Sequence, residues 1–518
     1  MATMSLKNMI KKPGFVVWSL LLAVFALCPV PEAFAAAGNA KNGEAIYQKK
    51  CWWCHGKKGE ANGPAAKFLI PPPRDFSLGM YKYRSSAPKA DLVRDEDLFK
   101  IITKGMPGTG MPAWEDVIKE QDRWDLVAYI KSLTDLFGKA ANPPQIDVSK
   151  KIKSSADSIE KGKKAFQTAK CFECHGQNGK GDLTKKLKED SGARVWPRNL
   201  TKPWTFRGGY TADDIFARVS NGIPNTPMPS FAAEATSSGK LSEEDRWHVV
   251  NYVMSLADPT SQVKEGDTVV RGFLRPTLPK DENDPAWNEA QSTALFLVPQ
   301  IIQKERFFTP TNDLVKVKAF YNEKEIAFMV EWDDRTKSIP GDAIAETIAW
   351  DTISPDMIAI QTPAQVLSGN EKPYFGHGDA SHPVSTMIWN AGTTTVPAAG
   401  KMALYTGSGK RTDGDAAAAG FTSSGSYNNG TWKVMMKRKL ISANKDKDTQ
   451  FEVGKYLPIA FANWDGSNGE AGSKHTMTTW YWLLLQPPTG KDVVLVPLFV
   501  LIVLVGGQLA IARYLKKK

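Results

Sequence analysis

Four of the five cysteines fall in two matching frames, Cys51-Trp52-Trp53-Cys54-His55 and Cys171-Phe172-Glu173-Cys174-His175. Two thiols about a helical turn apart can form thioethers to the two vinyl groups of one haem. The histidine that follows then faces the iron as a ligand. With this composition, chance supplies only about 5 × 10⁻⁴ such pentads, so two of them are a signal. A thioredoxin-like dithiol needs no histidine, and pairs lying 120 residues apart on separate repeats do not resemble a four-ligand zinc cage. The fifth cysteine, Cys28, belongs to the N-terminal segment, which leaves none for a structural disulfide.

The second iron ligand is read from a repeat. Residues 97–112 run DLFKIITKGMPGTGMP and residues 214–229 run DIFARVSNGIPNTPMP; Asp122-Arg123-Trp124 and Tyr129 recur as Asp245-Arg246-Trp247 and Tyr252. This is a duplicated domain. In the first copy both Met106 and Met111 are available. In the second, Ile223 stands where Met106 would be, whereas Met228 matches Met111. Isoleucine cannot bind iron, so Met111 and Met228 are the expected ligands. Each copy therefore resembles a class I cytochrome c, which implies a small helical domain wrapped round its haem. Helices are expected before Cys51 and Cys171, at about 94–104 and 212–221, and at about 120–137 and 242–256. The resemblance also implies a supporting carbonyl for each proximal histidine, at Pro73 and Pro197. His248, at the position of Leu126 in the first copy, is expected to be a packing residue.

The texture changes after a polar linker near 258–266. Leu314–Tyr321 and Glu325–Trp332 alternate as a hairpin around Asn322-Glu323-Lys324. Further strands are expected near 355–361, 384–390, 430–440, 456–464 and 476–485, with 397–430 as a long surface loop. Strands without intervening helices predict an all-β sandwich. The phrases Asp284-Pro285-Ala286-Trp287, Trp332-Asp333-Asp334, Pro373-Tyr374-Phe375-Gly376-His377-Gly378 and Ala460-Phe461-Ala462-Asn463-Trp464-Asp465-Gly466, with Glu470, Ser473-Lys474-His475 and Trp480, resemble the haem b-binding γ subunit of ethylbenzene dehydrogenase. That family holds its haem b without covalent bonds, between a Met and a Lys. The lysine maps onto Lys474, and His377 stands where the methionine is expected; His475, Met477 and His382 are substitutes. Members often sit beside a molybdopterin subunit and an iron–sulfur subunit.

The ends of the chain give an address. Lys7, Lys11 and Lys12, an apolar run from Phe15 to Leu27, and Ala33-Phe34-Ala35 describe a signal peptide over 1–35. Residues 493–512 carry no formal charge and precede Arg513-Tyr514-Leu515-Lys516-Lys517-Lys518. Twenty apolar residues match the roughly 30 Å of a bilayer core, and the basic tail favours the cytoplasmic side. The rest lies outside, which in a Gram-negative cell is the periplasm. At 518 residues, 42% hydrophobic and 23% charged, the chain is multidomain and globular. Its formal charge of +11 falls to +9 without residues 1–35. An exported protein has no genome to bind, so no nucleic-acid partner is expected.

The expected organisation is thus 1–35 signal peptide, 36–138 and 139–258 all-α cytochrome c domains, 265–487 β-sandwich, and 493–512 transmembrane helix. The expected role is a membrane-anchored periplasmic electron-transfer subunit, itself without a catalytic site. It would carry two haem c groups and one haem b. By resemblance it relays electrons for a molybdenum oxidoreductase of the nitrite oxidoreductase or nitrate reductase kind, with other cytochromes or quinone-linked proteins beyond. Two rivals are a carbohydrate- or ligand-binding sandwich with attached cytochromes, and a diheme peroxidase-like enzyme. The second requires an open iron site, whereas both copies offer a methionine.

Overall fold

A computed structural model describes residues 38–516, apart from positions 70, 89, 91, 139–141, 183–185, 233–238, 265, 305–309, 366, 370, 408 and 489–491. The expected signal segment, with Cys28, lies outside the described residues.

The first helical domain contains α1 (Ala40–Lys50), α2 (Trp52–His55), α3 (Asp95–Lys104) and α4 (Glu120–Ser132). The second repeats them as α5 (Ala156–Thr168), α6 (Phe172–His175), α7 (Ala212–Asn221) and α8 (Glu243–Ser255). Local chemistry sets the starts. Asn39 accepts hydrogen bonds from the N–H groups of Lys41 and Asn42, Ser155 from that of Ser158, and Ser242 from that of Asp245. Thr211 and Asp214 close a reciprocal capping box at α7.

In each copy the first helix crosses the last at a glycine. A Cβ on Gly43 would lie 2.0 Å from the carbonyl oxygen of Asp125, and one on Gly162 would lie 1.9 Å from that of His248. Only hydrogen fits there. The tyrosines beyond the crossing close the packing: Tyr47 meets Tyr129 at 5.1 Å between ring centroids, and Phe166 meets Tyr252 at 5.3 Å. The third and fourth helices of each copy are joined by Phe99 stacked on Trp124 at 4.1 Å, repeated as Phe216 on Trp247 at 4.0 Å. Arg123 and Arg246 lie over the same phenylalanine rings, at 5.2 and 5.1 Å.

The third domain holds β1 (Val269–Leu274), β2 (Thr293–Phe296), β3 (Val298–Pro299), β4 (Leu314–Tyr321), β5 (Glu325–Asp333), α9 (Ala343–Ile348), β6 (Met357–Pro363) and β7 (Val384–Asn390). It continues with β8 (Ala399–Tyr405), β9 (Arg411–Asp413), α10 (Ala416–Ala419), β10 (Thr422–Asn428), β11 (Thr431–Lys439), β12 (Tyr456–Trp464), β13 (Thr476–Met477) and β14 (Tyr481–Leu485). The main path runs β10-β11-β5-β4-β1-β14-β12-β6-β7-β8-β9. Strand β12 divides its pairing, giving Tyr456–Ile459 to β14 and Ala460–Trp464 to β6. The sheet folds back there, and Trp332 of β5, Trp389 of β7 and Trp432 of β11 enter one buried core, with Trp389 and Trp432 5.0 Å apart.

Two features correct the expected sandwich. The sheet is mixed, because β1 pairs in parallel with both β4 and β14. The 397–430 segment is not a loop; it forms β8, β9, α10 and β10. Small Ala, Gly and Ser side chains leave little alternation to read, and pairing of the whole of β10 with Thr431–Lys437 of β11 supplies the order. Helix α11 (Asp492–Lys516) follows, and its Pro497–Leu515 portion is long and apolar enough to cross a membrane, with none of that face covered by the rest of the chain.

Candidate functional site

Helix α1 is capped by Cys51, and the short α2 that follows carries Cys54 and His55. His55 Nδ1 lies 3.0 Å from the carbonyl oxygen of Arg74, and His175 Nδ1 lies 3.1 Å from that of Arg198. A carbonyl only accepts, so the proton sits on Nδ1 and the Nε2 lone pair is left for a metal. The supporting carbonyl therefore belongs to the residue after the expected prolines, Pro73 and Pro197. Burial lowers the pKa of both imidazoles, which keeps them neutral and competent as ligands. Burial also pushes the Cys51 and Cys171 thiols up to about 12. A redox dithiol needs the opposite shift, and none of these four cysteines forms a disulfide among the described residues.

The methionine loops are built alike. The carbonyl of Met111 accepts from the Met106 N–H at 3.0 Å, and Thr109 Oγ1 accepts from the Met111 N–H at 3.1 Å. The second copy has Ile223 to Met228 at 3.0 Å and Met228 to Thr226 at 3.2 Å. Gly105 and Gly222 start these loops at φ +66° and +64°, where a Cβ would lie 2.6 Å from the backbone beyond the methionine. In the first domain Cys51, Cys54, His55, Met106 and Met111 share one cavity, walled by Phe76, Leu98, Ile102, Trp114 and Leu126. Two thiols, an oriented imidazole and a thioether around an apolar cavity fit a covalently attached haem. In the second, Cys171 and Met228 both pack against the domain core. His248 is a packing residue as expected: it is buried, and its Nδ1 meets Ser158 Oγ at 2.8 Å.

The third domain brings together two histidines. His377 and His475 are both buried, and their Nε2 atoms stand 3.3 Å apart. His377 Nδ1 rests 3.0 Å from Gln361 Oε1 and His475 Nδ1 lies 3.2 Å from the Gly472 carbonyl. Tyr405 stacks on His377, and Trp464 covers His475. Burial depresses both, His377 to about 4 and His475, with His377 beside it, to about 3. Lys474 is half-buried next to His475. The donor types suit an iron, but 3.3 Å is short of the roughly 4 Å spanned by two opposed metal–nitrogen bonds.

Sequence reasoning missed the buried carboxylates of Asp334, Asp356 and Asp465, whose oxygens lie within 4.8 Å of one another. Burial, then Asp465, raises Asp356 to about 8. The trio ties loops together, accepting from the N–H groups of Thr336, Ser338, Gly466 and Ser467. Two of the three residues stand in the phrases Trp332-Asp333-Asp334 and Trp464-Asp465-Gly466, but nothing in those phrases places Asp356 between them.

Fold and donor sets define a c-type cytochrome, and the chain belongs to the cytochrome c family. Residues 159–257 match the model described as Cytochrome c, and residues 38–130 match that of cytochrome c oxidase, cbb3-type, subunit III. A cytochrome c of Guizotia abyssinica is 32% identical over 108 residues, covering 20% of this chain and 96% of that protein. Residues 376–476, which begin just before His377 and end just after His475, match the ethylbenzene dehydrogenase model. The Haloferax mediterranei protein named "Putative respiratory nitrate reductase heme subunit ORF7" is 22% identical over 238 residues, 46% of this chain and 78% of that one. A chain of the Kuenenia stuttgartiensis reducing HAO-like protein complex is 33% identical, covering 43% of this chain and 98% of its own, at a TM-score of 0.39.

Proposed function

We propose that the protein is a membrane-anchored periplasmic subunit that relays electrons for a molybdenum oxidoreductase of the nitrite oxidoreductase or nitrate reductase kind. The observation that carries this is the docking of the two haem-binding domains at their ligand loops. Arg198, whose carbonyl orients His175, also reaches the Pro107 carbonyl of the Met111 loop with its guanidinium, at 3.4 Å. Haem iron, when bound, supplies a one-electron couple, and methionine ligation places it on the higher-potential side. The chain's own residues orient the imidazoles, present Met111 and Met228, and exclude water with aromatic walls. A methionine at both sites disfavours the peroxidase alternative.

The same proposal includes a non-covalent haem b in the third domain, between His377 and Lys474. The 376–476 match supports it, and it requires the His377–His475 contact to open. Partner subunits with molybdopterin and iron–sulfur clusters belong to the same proposal, which the likeness to a Haloferax protein named as a nitrate reductase heme subunit supports. Purification of the tagged full chain from membranes of its own host tests the assignment. Molybdenum and acid-labile sulfide in stoichiometric yield are expected; a chain that purifies without either metal centre contradicts the partner.

A further inference from the structure

The cavity around Cys51, His55 and Met111 is not closed by its own domain. Arg207, from the second domain, lines it beside Lys82 and Arg74. Two first-domain carbonyls hold the guanidinium in place: Nε donates to Pro107 at 3.2 Å and Nη2 to Gly108 at 3.0 Å. Those bonds occupy two of its five N–H donors. The ion pairs that cross the same interface, Lys82 with Glu189 and Lys100 with Asp214, leave Arg207 aside. A second guanidinium, Arg198, bonds the same Pro107 carbonyl. Burial and the neighbouring Arg207 hold Arg198 below its usual range. Arg207, the one of the two that lines the apolar cavity, keeps donors beyond these carbonyls for an anion inside it.

Haem brings two carboxylates of its own. Resting on the covalent haem assignment, we propose that Arg207 is the carboxylate-binding residue of the first haem, supplied across the interface by the second domain. The first site is then complete only when the two domains are docked. A fixed positive charge near the iron disfavours Fe(III), so Arg207 raises the potential of that haem relative to its neighbour.

The test uses full-length Arg207→Leu and Arg207→Lys. In Arg207→Leu one of the two haem c potentials should fall, shifting the equilibrium for electron sharing about tenfold toward the other haem. The shifted haem should be the one that Met111→Ala also moves. Arg207→Lys should keep most of the wild-type value, and methionine–iron absorption should persist in both. Unchanged potentials, or loss of that absorption in Arg207→Leu, overturn the proposal; the arginine would then act only on the loop carbonyls. A pyridine haemochrome count below two in the wild type contradicts the haem assignment instead, so the two failures are distinct.

Discussion

At the scale of single residues, iron-binding chemistry is legible where covalent spacing fixes it and less so where the fold chooses. The cysteine–histidine pentads need no structure. Met111 is separable from Met106 only because the second copy carries Ile223, since both first-copy methionines line the cavity. Met228→Ala should therefore abolish one methionine–iron absorption and lower that haem's potential, while Met106→Ala leaves both unchanged; optical redox titration checks this. The reverse pattern would reassign the ligand. The meeting of His377 and His475, 98 positions apart, is set by strand pairing around β6 and β12; the resemblance offers both to one site, but their direct contact is not legible in the sequence. The carbonyls of Arg74 and Arg198 are likewise fixed by loop geometry, one residue from the expected prolines.

At the scale of elements, helix positions follow from caps and periodicity. The 120–137 expectation overran because the helix stops at Ser132, with Leu133 as its cap. Close crossing at Gly43 and Gly162 is the feature that the cytochrome domains tolerate least. A Cβ inserted within about 2 Å of a carbonyl oxygen forces the helices apart, an overpacking cost of about 2 kcal/mol. Gly162→Ala should thus lower the unfolding midpoint of the second domain in denaturant titration, whereas Gly192→Ala meets no atoms and should cost less, only the strain of its φ of +79°. Equal effects would contradict the crossing. In the third domain, long hairpins such as β4–β5 are read easily, but β8 to β10 are not, because their short side chains carry no alternation.

For the whole molecule, the second domain is fastened to the β domain by charge. Asp333 of β5 pairs with Lys202 at 3.0 Å and Lys180 at 3.4 Å, and accepts from Asn199 at 2.9 Å. Burial opposes ionisation of Asp333, yet Lys202, Lys180 and Lys316 together outweigh it and hold the carboxyl far below its usual range. A depressed carboxylate stabilises the folded state above its unfolded value near 3.9 and loses that contribution as pH falls toward the folded value. The junction should accordingly hold from pH 7 to about pH 4 and loosen below it, as limited proteolysis between residues 255 and 270 would report. Asp333→Asn leaves buried Lys202 and half-buried Lys180 short of a partner and should cost about 3 kcal/mol, bringing the same cleavage to neutral pH. Truncation after residue 487 should release the protein from membranes with its haem content intact, and retention of the truncated chain would remove α11 as the anchor.

The central claim is that each Cys-x-x-Cys-His site carries a haem bonded through both sulfurs. Pyridine haemochrome spectroscopy of the purified full-length protein, after acid–acetone extraction of loose haem, tests this most directly. Two haem c per chain are predicted to remain with the polypeptide. A chain that retains none, or only one, contradicts the account.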